Sequence, residues 1–231
     1  MSHIYLIRHG QASFGQANYD KLSDLGRKQA QTLGEYFAYH QIAFDLVMHG
    51  TMERQADTAL LMAETAGHNN GLTVEPLLNE FDSDNLAKTY LPDVLKNFPE
   101  EVQEDPRFWL NQSHYFNQVF GMLVNTWQQD NDCPFESWQS FSDRAKALHQ
   151  KLSSDFQHCK KIALVTSGGM ISLLMKSILG YDNQKFTEMN LTINNASVTE
   201  VKLTDDGFRL INFNNVSALM KPNDKQLITL K

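Results

Sequence analysis

Three times along this chain a short apolar run stops at a polar or glycine turn and a helix-periodic segment follows, and this repeat leaves few folds open. Ile4 to Ile7 ends in Arg8-His9-Gly10, Phe44 to Met48 leads to Thr51 and a helical stripe, and Lys161 to Thr166 breaks at Ser167-Gly168-Gly169. Short apolar runs bounded by turns read as strands buried on both faces. Strand-turn-helix units in series predict an α/β fold: a three-layer αβα body whose central sheet is largely parallel. Ser23 is placed to cap the first helix, with Gly26, Ala30, Leu33 and Phe37 inward. Thr51 is expected to cap the second, with Met52, Ala56, Ala59, Leu60 and Ala63 inward, and Ile171, Leu174, Met175, Ile178 and Leu179 stripe the third up to Gly180. Phe141 to Phe156 reads as a further helix, and Ala196 to Leu203 with Phe208 to Phe213 as a hairpin around Asp205-Asp206-Gly207.

The stretch from Asp82 to Phe135 breaks this rhythm and is punctuated by Pro92, Pro99 and Pro106. The expectation is one domain over residues 1–231, with 82–135 as a helical lid inserted over the body. With 231 residues and 42% hydrophobic content the chain can bury one substantial core without a disulfide framework. Its two cysteines, Cys133 and Cys159, have no metal-ligand spacing and fit a reducing compartment, so the cytoplasm is the expected location. No segment approaches the ~20 apolar residues that span a bilayer. A net charge of −7 argues against a broad attraction to nucleic acid or anionic membrane. A homodimer is compatible with the sequence but not indicated by it.

In open parallel sheets ligands bind beyond the carboxyl ends of the strands. The residues there form a set: Arg8 and His9 after the first strand, Arg54 in the helical turn after the second, Ser167 and two glycines after the third. Guanidinium forks match phosphate oxygens, and a helix N-terminus offers unpaired N–H groups. A neutral histidine between them can attack phosphorus in line, with the arginines neutralising the equatorial oxygens. No metal or cofactor is then required. Glu80 is the candidate acid for the leaving oxygen and base for water.

These residues resemble the histidine phosphatase superfamily, the phosphoglycerate mutase-like family. Leu6-Ile7-Arg8-His9-Gly10-Gln11 looks like its nucleophile motif, Leu22 to Ala30 like its first-helix signature, and Arg54-Gln55-Ala56-Asp57-Thr58-Ala59 like its second-arginine motif. Leu78-Asn79-Glu80 sits where the family carries its acid, and the likeness runs on through Glu136-Ser137 and Arg144 to Val165-Thr166-Ser167-Gly168-Gly169. The resemblance implies a phosphohistidine on His9, acid-base work by Glu80, and phosphate binding by Arg8, Arg54, Gln16, Ser167 and Gly168. It also exposes departures. Ser167 stands where the family has a second pocket histidine, and losing one such donor costs roughly 3 to 4 kcal/mol. Ser167→His is accordingly expected to raise the rate, provided that the ring fits beside His9. Gln16 takes the place of a usual asparagine, and His49 the place of a small hydroxyl residue, from which it could reach the pocket to compensate.

Residues 82–135 hold nine aromatics and nine acidic side chains against Lys88, Lys96 and Arg107. Such a lid offers an apolar wall to a leaving group and no clamp for a second anion, which counts against a phosphoglycerate mutase. The expected activity is a metal-independent phosphatase for a small phosphomonoester. The alternative is a phospho-ligand binding or regulatory protein whose turnover the Ser167 replacement has weakened or removed.

Overall fold

The computed structural model describes residues 1–13, 20–68, 70–156, 158–220 and 225–230. The first apolar run forms β1 (Ser2–Arg8), and Ser23 caps α1 (Asp24–Tyr39), its hydroxyl accepting from the Gly26 N–H at 3.0 Å. β2 (Leu46–His49) and α2 (Glu53–Thr65) follow. Thr51 does not cap α2. Met52 holds that position without a side-chain bond, and the Glu53 N–H donates instead to Asp20 Oδ2 at 2.8 Å. The Thr51 hydroxyl accepts from Asn79 Nδ2 at 2.7 Å. The inward stripe of α2 is Gln55, Thr58, Ala59, Met62 and Ala63, whereas Leu60 is exposed, because the helix turns Arg54 and Gln55 toward the strand ends.

Beyond β3 (Leu72–Val74) the chain makes a short 3-10 turn at Pro76–Leu78 and then a helical run: α3 (Ser83–Leu95), α4 (Glu100–Glu104), α5 (Pro106–Asn111) and α6 (Ser113–Gln129). α7 (Trp138–Ser154), capped by Ser137, leads to β4 (Lys161–Thr166), α8 (Gly168–Leu179) and α9 (Asn183–Thr192). β5 (Val198–Thr204) and β6 (Gly207–Asn215) form the expected hairpin.

The described strands form one six-stranded sheet in the order β3-β2-β4-β1-β5-β6. The first four run parallel, and β5 and β6 close the edge antiparallel. Strand alternation divides the core in two, since neighbouring side chains point to opposite faces. Tyr5, Ile7, Val47, Ala163 and Val165 meet α1 and α2 through Leu33, Phe37, Ala59 and Met62. Ile4, Leu6, Met48, Ile162 and Leu164 face α7, α8 and the helical run. That second core is continuous, running from the sheet through Phe81, Trp127 and Phe141 to Tyr90, Val102 and Trp109. The 82–135 segment therefore shares the body's core instead of forming one of its own. Parallel registry aligns Arg8 with Thr166 and His49 with Val165, so β1, β2 and β4 deliver their polar turns to one edge.

Candidate active site

His9 leaves β1 on a fixed backbone. Its N–H donates to Thr166 O at 2.9 Å, its carbonyl accepts from Ala196 N at 3.2 Å, and the Gly10 N–H donates to Thr58 Oγ1 at 3.0 Å. The ring is 4% exposed. Nδ1 stands 2.7 Å from Gly10 O, a group that only accepts, so the proton sits on Nδ1 and Nε2 keeps its lone pair. Arg54 Nε donates to that Nε2 at 3.1 Å. Burial first, then the charges of Arg54 and Arg8, hold the imidazolium well below the usual histidine range, and the ring is neutral near pH 7.

Arg54, 6% exposed, projects from the first turn of α2 and is tied from its far side by Asp20, whose Oδ1 lies 2.6 Å from Nη1. The same carboxylate accepts the Glu53 N–H, so Asp20 orients both the guanidinium and the helix start beneath it. Arg8 extends the β1 end, with Nη1 donating to the carbonyls of Ile193 and, at 3.0 Å, Leu230.

Glu80 faces this pair across the cavity. Its Oε2 accepts from Gly169 N at 2.9 Å and its Oε1 from Phe81 N at 3.1 Å. Burial pushes its carboxyl above the ordinary range, although those N–H groups and the charges of Arg54 and Arg8 pull the other way. Gly169 permits the approach: a Cβ there would sit 2.2 Å from Glu80 Oε1. The segment carrying Glu80 is held by Arg144, which donates to the carbonyls of Asn79 and, at 3.2 Å, Glu80. Arg144 is itself fixed by a two-pronged pair to Glu136 at 2.9 and 2.8 Å.

These residues open into a cavity of about 220 Å³ lined by Arg8, His9, Arg54, Glu80 and Gly168. Among the described residues no group of three His, Cys, Asp or Glu side chains stands together as a metal-ligand set. No described helix is long and apolar enough to cross a membrane.

The family model of the histidine phosphatase superfamily (branch 1) matches residues 4–216. The chain belongs to that superfamily. It is 28% identical over 186 residues to the adenosylcobalamin/alpha-ribazole phosphatase of Escherichia coli (strain K12), spanning 77% of this chain and 79% of that one. Its fold is similar to that of a phosphoglycerate mutase from Bacillus anthracis str. Sterne, with a TM-score of 0.66, 21% identity and coverage of 94% and 95% of the two chains. A phosphoserine phosphatase from Entamoeba histolytica, in complex with phosphoserine, matches with a TM-score of 0.65 at 16% identity, covering 95% and 100%.

Of the residues that the histidine phosphatase likeness singles out, His9, Arg8, Arg54, Glu80 and Gly168 come together around the cavity. Ser167 does not line it. It is fully buried, leaves its helix uncapped, and its Oγ accepts from Gln55 Nε2 at 2.8 Å. His49 is buried and bonds Gly50 O through Nδ1 at 2.7 Å, outside the cavity lining. Gln16 lies outside the described residues. Three participants were given no role by the sequence: Asp20, Gln55 and the carbonyl-binding Arg144. Gln55 and Arg144 left a signal through their places in the family likeness, and Asp20 left none.

Proposed function

We propose that this chain is a phosphomonoesterase that works through a phosphohistidine on His9, with no metal. The observation that carries the reading is the tautomer of His9: Gly10 O fixes the proton on Nδ1, leaving the lone pair on Nε2, 3.1 Å from Arg54 Nε, in a ring that lines the cavity. The name of the Escherichia coli relative supports a phosphatase over a mutase.

A phosphoryl group entering the cavity replaces His9 as the partner of Arg54 Nε, and Arg8 closes on its other oxygens. Nε2 attacks phosphorus, the bond from phosphorus to the alcohol oxygen breaks, and Glu80 gives that oxygen its proton. Water then attacks the phosphorus while Glu80 takes a proton from it. The P–N bond breaks, inorganic phosphate leaves, and His9 regains its lone pair. The guanidiniums bear the developing charge, a service worth more in a dry site than in water. The segment 82–135 serves as the lid, because α6 supplies the cavity wall opposite the strand ends.

Hydrolysis of p-nitrophenyl phosphate by the wild type and His9→Ala, each in chelator, tests the reading. Turnover that survives chelation and disappears with His9, with acid-labile and base-stable phosphate trapped on the wild type, is the expected result. Undiminished turnover by His9→Ala would overturn the mechanism, and loss in chelator would overturn metal independence. Phosphate binding without turnover of any ester would favour a binding protein.

A further inference from the structure

Beyond the phosphoryl site the cavity wall is one face of α6. Ser113, Phe116, Asn117 and Phe120 all line it, the i, i+3, i+4, i+7 spacing that brings side chains onto one side of a helix. The two phenylalanine rings are stacked, 5.9 Å apart and 12° from parallel, and Trp109 of α5 continues the stack behind Phe116 at 6.2 Å and 18°. Phe116 is thus packed between Trp109 and Phe120, and the rings together form an apolar surface. Phe81 and Leu191 extend it. Ser83, Ser113, Asn117 and Asn190 supply neutral polar groups.

Among the described lining residues the cations are Arg8 and Arg54, the two that the phosphatase reading assigns to the phosphoryl group. Lys88 and Lys96 do not line the cavity. A carboxylate or second phosphate on the alcohol would have to leave water for phenylalanine rings and amides, with no further cation among the described lining residues to meet it. Leaving a charge desolvated and unpaired is costly, and sites discriminate most strongly by that means. An aromatic or alkyl body gains contact from the same wall.

We infer that the Ser113–Phe116–Asn117–Phe120 face of α6 selects phosphomonoesters whose alcohol carries an uncharged ring or comparable apolar body. It rejects esters whose alcohol bears a second anion. This inference rests on the phosphatase reading above. The discriminating experiment compares kcat/KM for 2-phenylethyl phosphate, 2-phosphoglycolate and 3-phosphoglycerate, three primary alkyl esters of similar intrinsic reactivity, with p-nitrophenyl phosphate alongside. The phenylethyl ester should lead both anionic esters by at least about 10-fold, the size of effect expected for an unmatched charge or a buried ring. Asn117→Lys should narrow that gap about 10-fold by supplying the missing cation. Equal kcat/KM for the three esters while p-nitrophenyl phosphate is turned over would overturn this inference and leave the parent reading standing. No turnover of any ester would overturn both. The wild-type comparison decides the matter even if the lysine variant fails to fold.

Discussion

Ser167→His tests how the pocket was rebuilt around its missing imidazole. A restored histidine should help only if space exists for it, and the structure shows that space filled. The Ser167 Oγ sits 2.8 Å from Gln55 Nε2, and Gln55, fully buried, also donates to Leu78 O at 3.1 Å. Gly50 makes room for that amide, since a Cβ there would lie 2.0 Å from Gln55 Oε1. In the Ser167 rotamer an imidazole Cγ would replace Oγ at the same 2.8 Å, well inside the ~3.5 Å at which carbon contacts become favourable. Overpacking costs about 1–3 kcal/mol. Depriving a buried amide of its acceptor adds about 1–3 kcal/mol. A loss near 4 kcal/mol lowers the Tm of a domain this size by roughly 8–15 °C. Gln55→Ala removes the obstruction, so the double variant should be more stable than the sum of the singles by at least about 1 kcal/mol. Thermal unfolding of the wild type, both singles and the double, with kcat/KM on p-nitrophenyl phosphate for each, closes the cycle. The sequence alone suggested that Ser167→His would raise the rate; the structure predicts a fall, reversed in the Gln55→Ala background. A single variant with wild-type Tm and higher activity would refute the argument, as would strict additivity.

Glu80→Gln should abolish the alkaline limb of the kcat/KM–pH profile along with most of the activity, because the carboxyl whose affinity for protons burial has raised is the acid lost on that limb; an unchanged limb would assign it elsewhere. Asp20→Asn keeps an acceptor for Arg54 but removes a charge that competes with phosphate, so inorganic phosphate should inhibit at several-fold lower concentration. Weaker inhibition would show that the charge itself is needed to aim the guanidinium. Arg144→Met strands Glu136 and releases the Asn79 and Glu80 carbonyls, costing on the order of 3 kcal/mol in urea unfolding. Its kcat should fall more than its KM changes, as Glu80 loses its seat; unchanged stability and kcat would deny Arg144 this role.

What the sequence revealed and what it hid divide by the range of the interaction. β4 matches its apolar run from Lys161 to Thr166, and the Ser23 cap of α1 is made within three residues. His9, Arg8 and Arg54 line one cavity, as the sequence order implied, because strand ends in a parallel sheet converge whatever the detail of their packing. The expected Thr51 cap failed, because the Glu53 N–H at the start of α2 is taken by Asp20, 33 residues away, and not by a local hydroxyl. The bond from Gln55 to Ser167 spans 112 residues and that from Arg144 to Glu80 spans 64. No local pattern encodes such pairs, and the first of them ties the Ser167 hydroxyl to Gln55, outside the cavity lining.

The opposed shifts of His9 and Glu80, which line one cavity, suit the proposed first step. Unperturbed, glutamic acid near 4.3 loses its proton before histidine near 6.5 gives up its own. The state that the proposed first step needs, a neutral imidazole with a protonated carboxyl, would then be a minor species at every pH. Burial disfavours the charged form of either group, lowering His9 and raising Glu80, and so brings that state toward dominance. The same burial costs stability. Below about pH 6.5 the unfolded chain takes up a proton at His9 that the native ring resists. Above about pH 4.3 the unfolded chain releases one from Glu80 that the native carboxyl retains. Both penalties act together between those limits, where the reactive pair of forms is favoured, so the protonation state that suits phosphoryl transfer is one the fold must hold against its own unfolding.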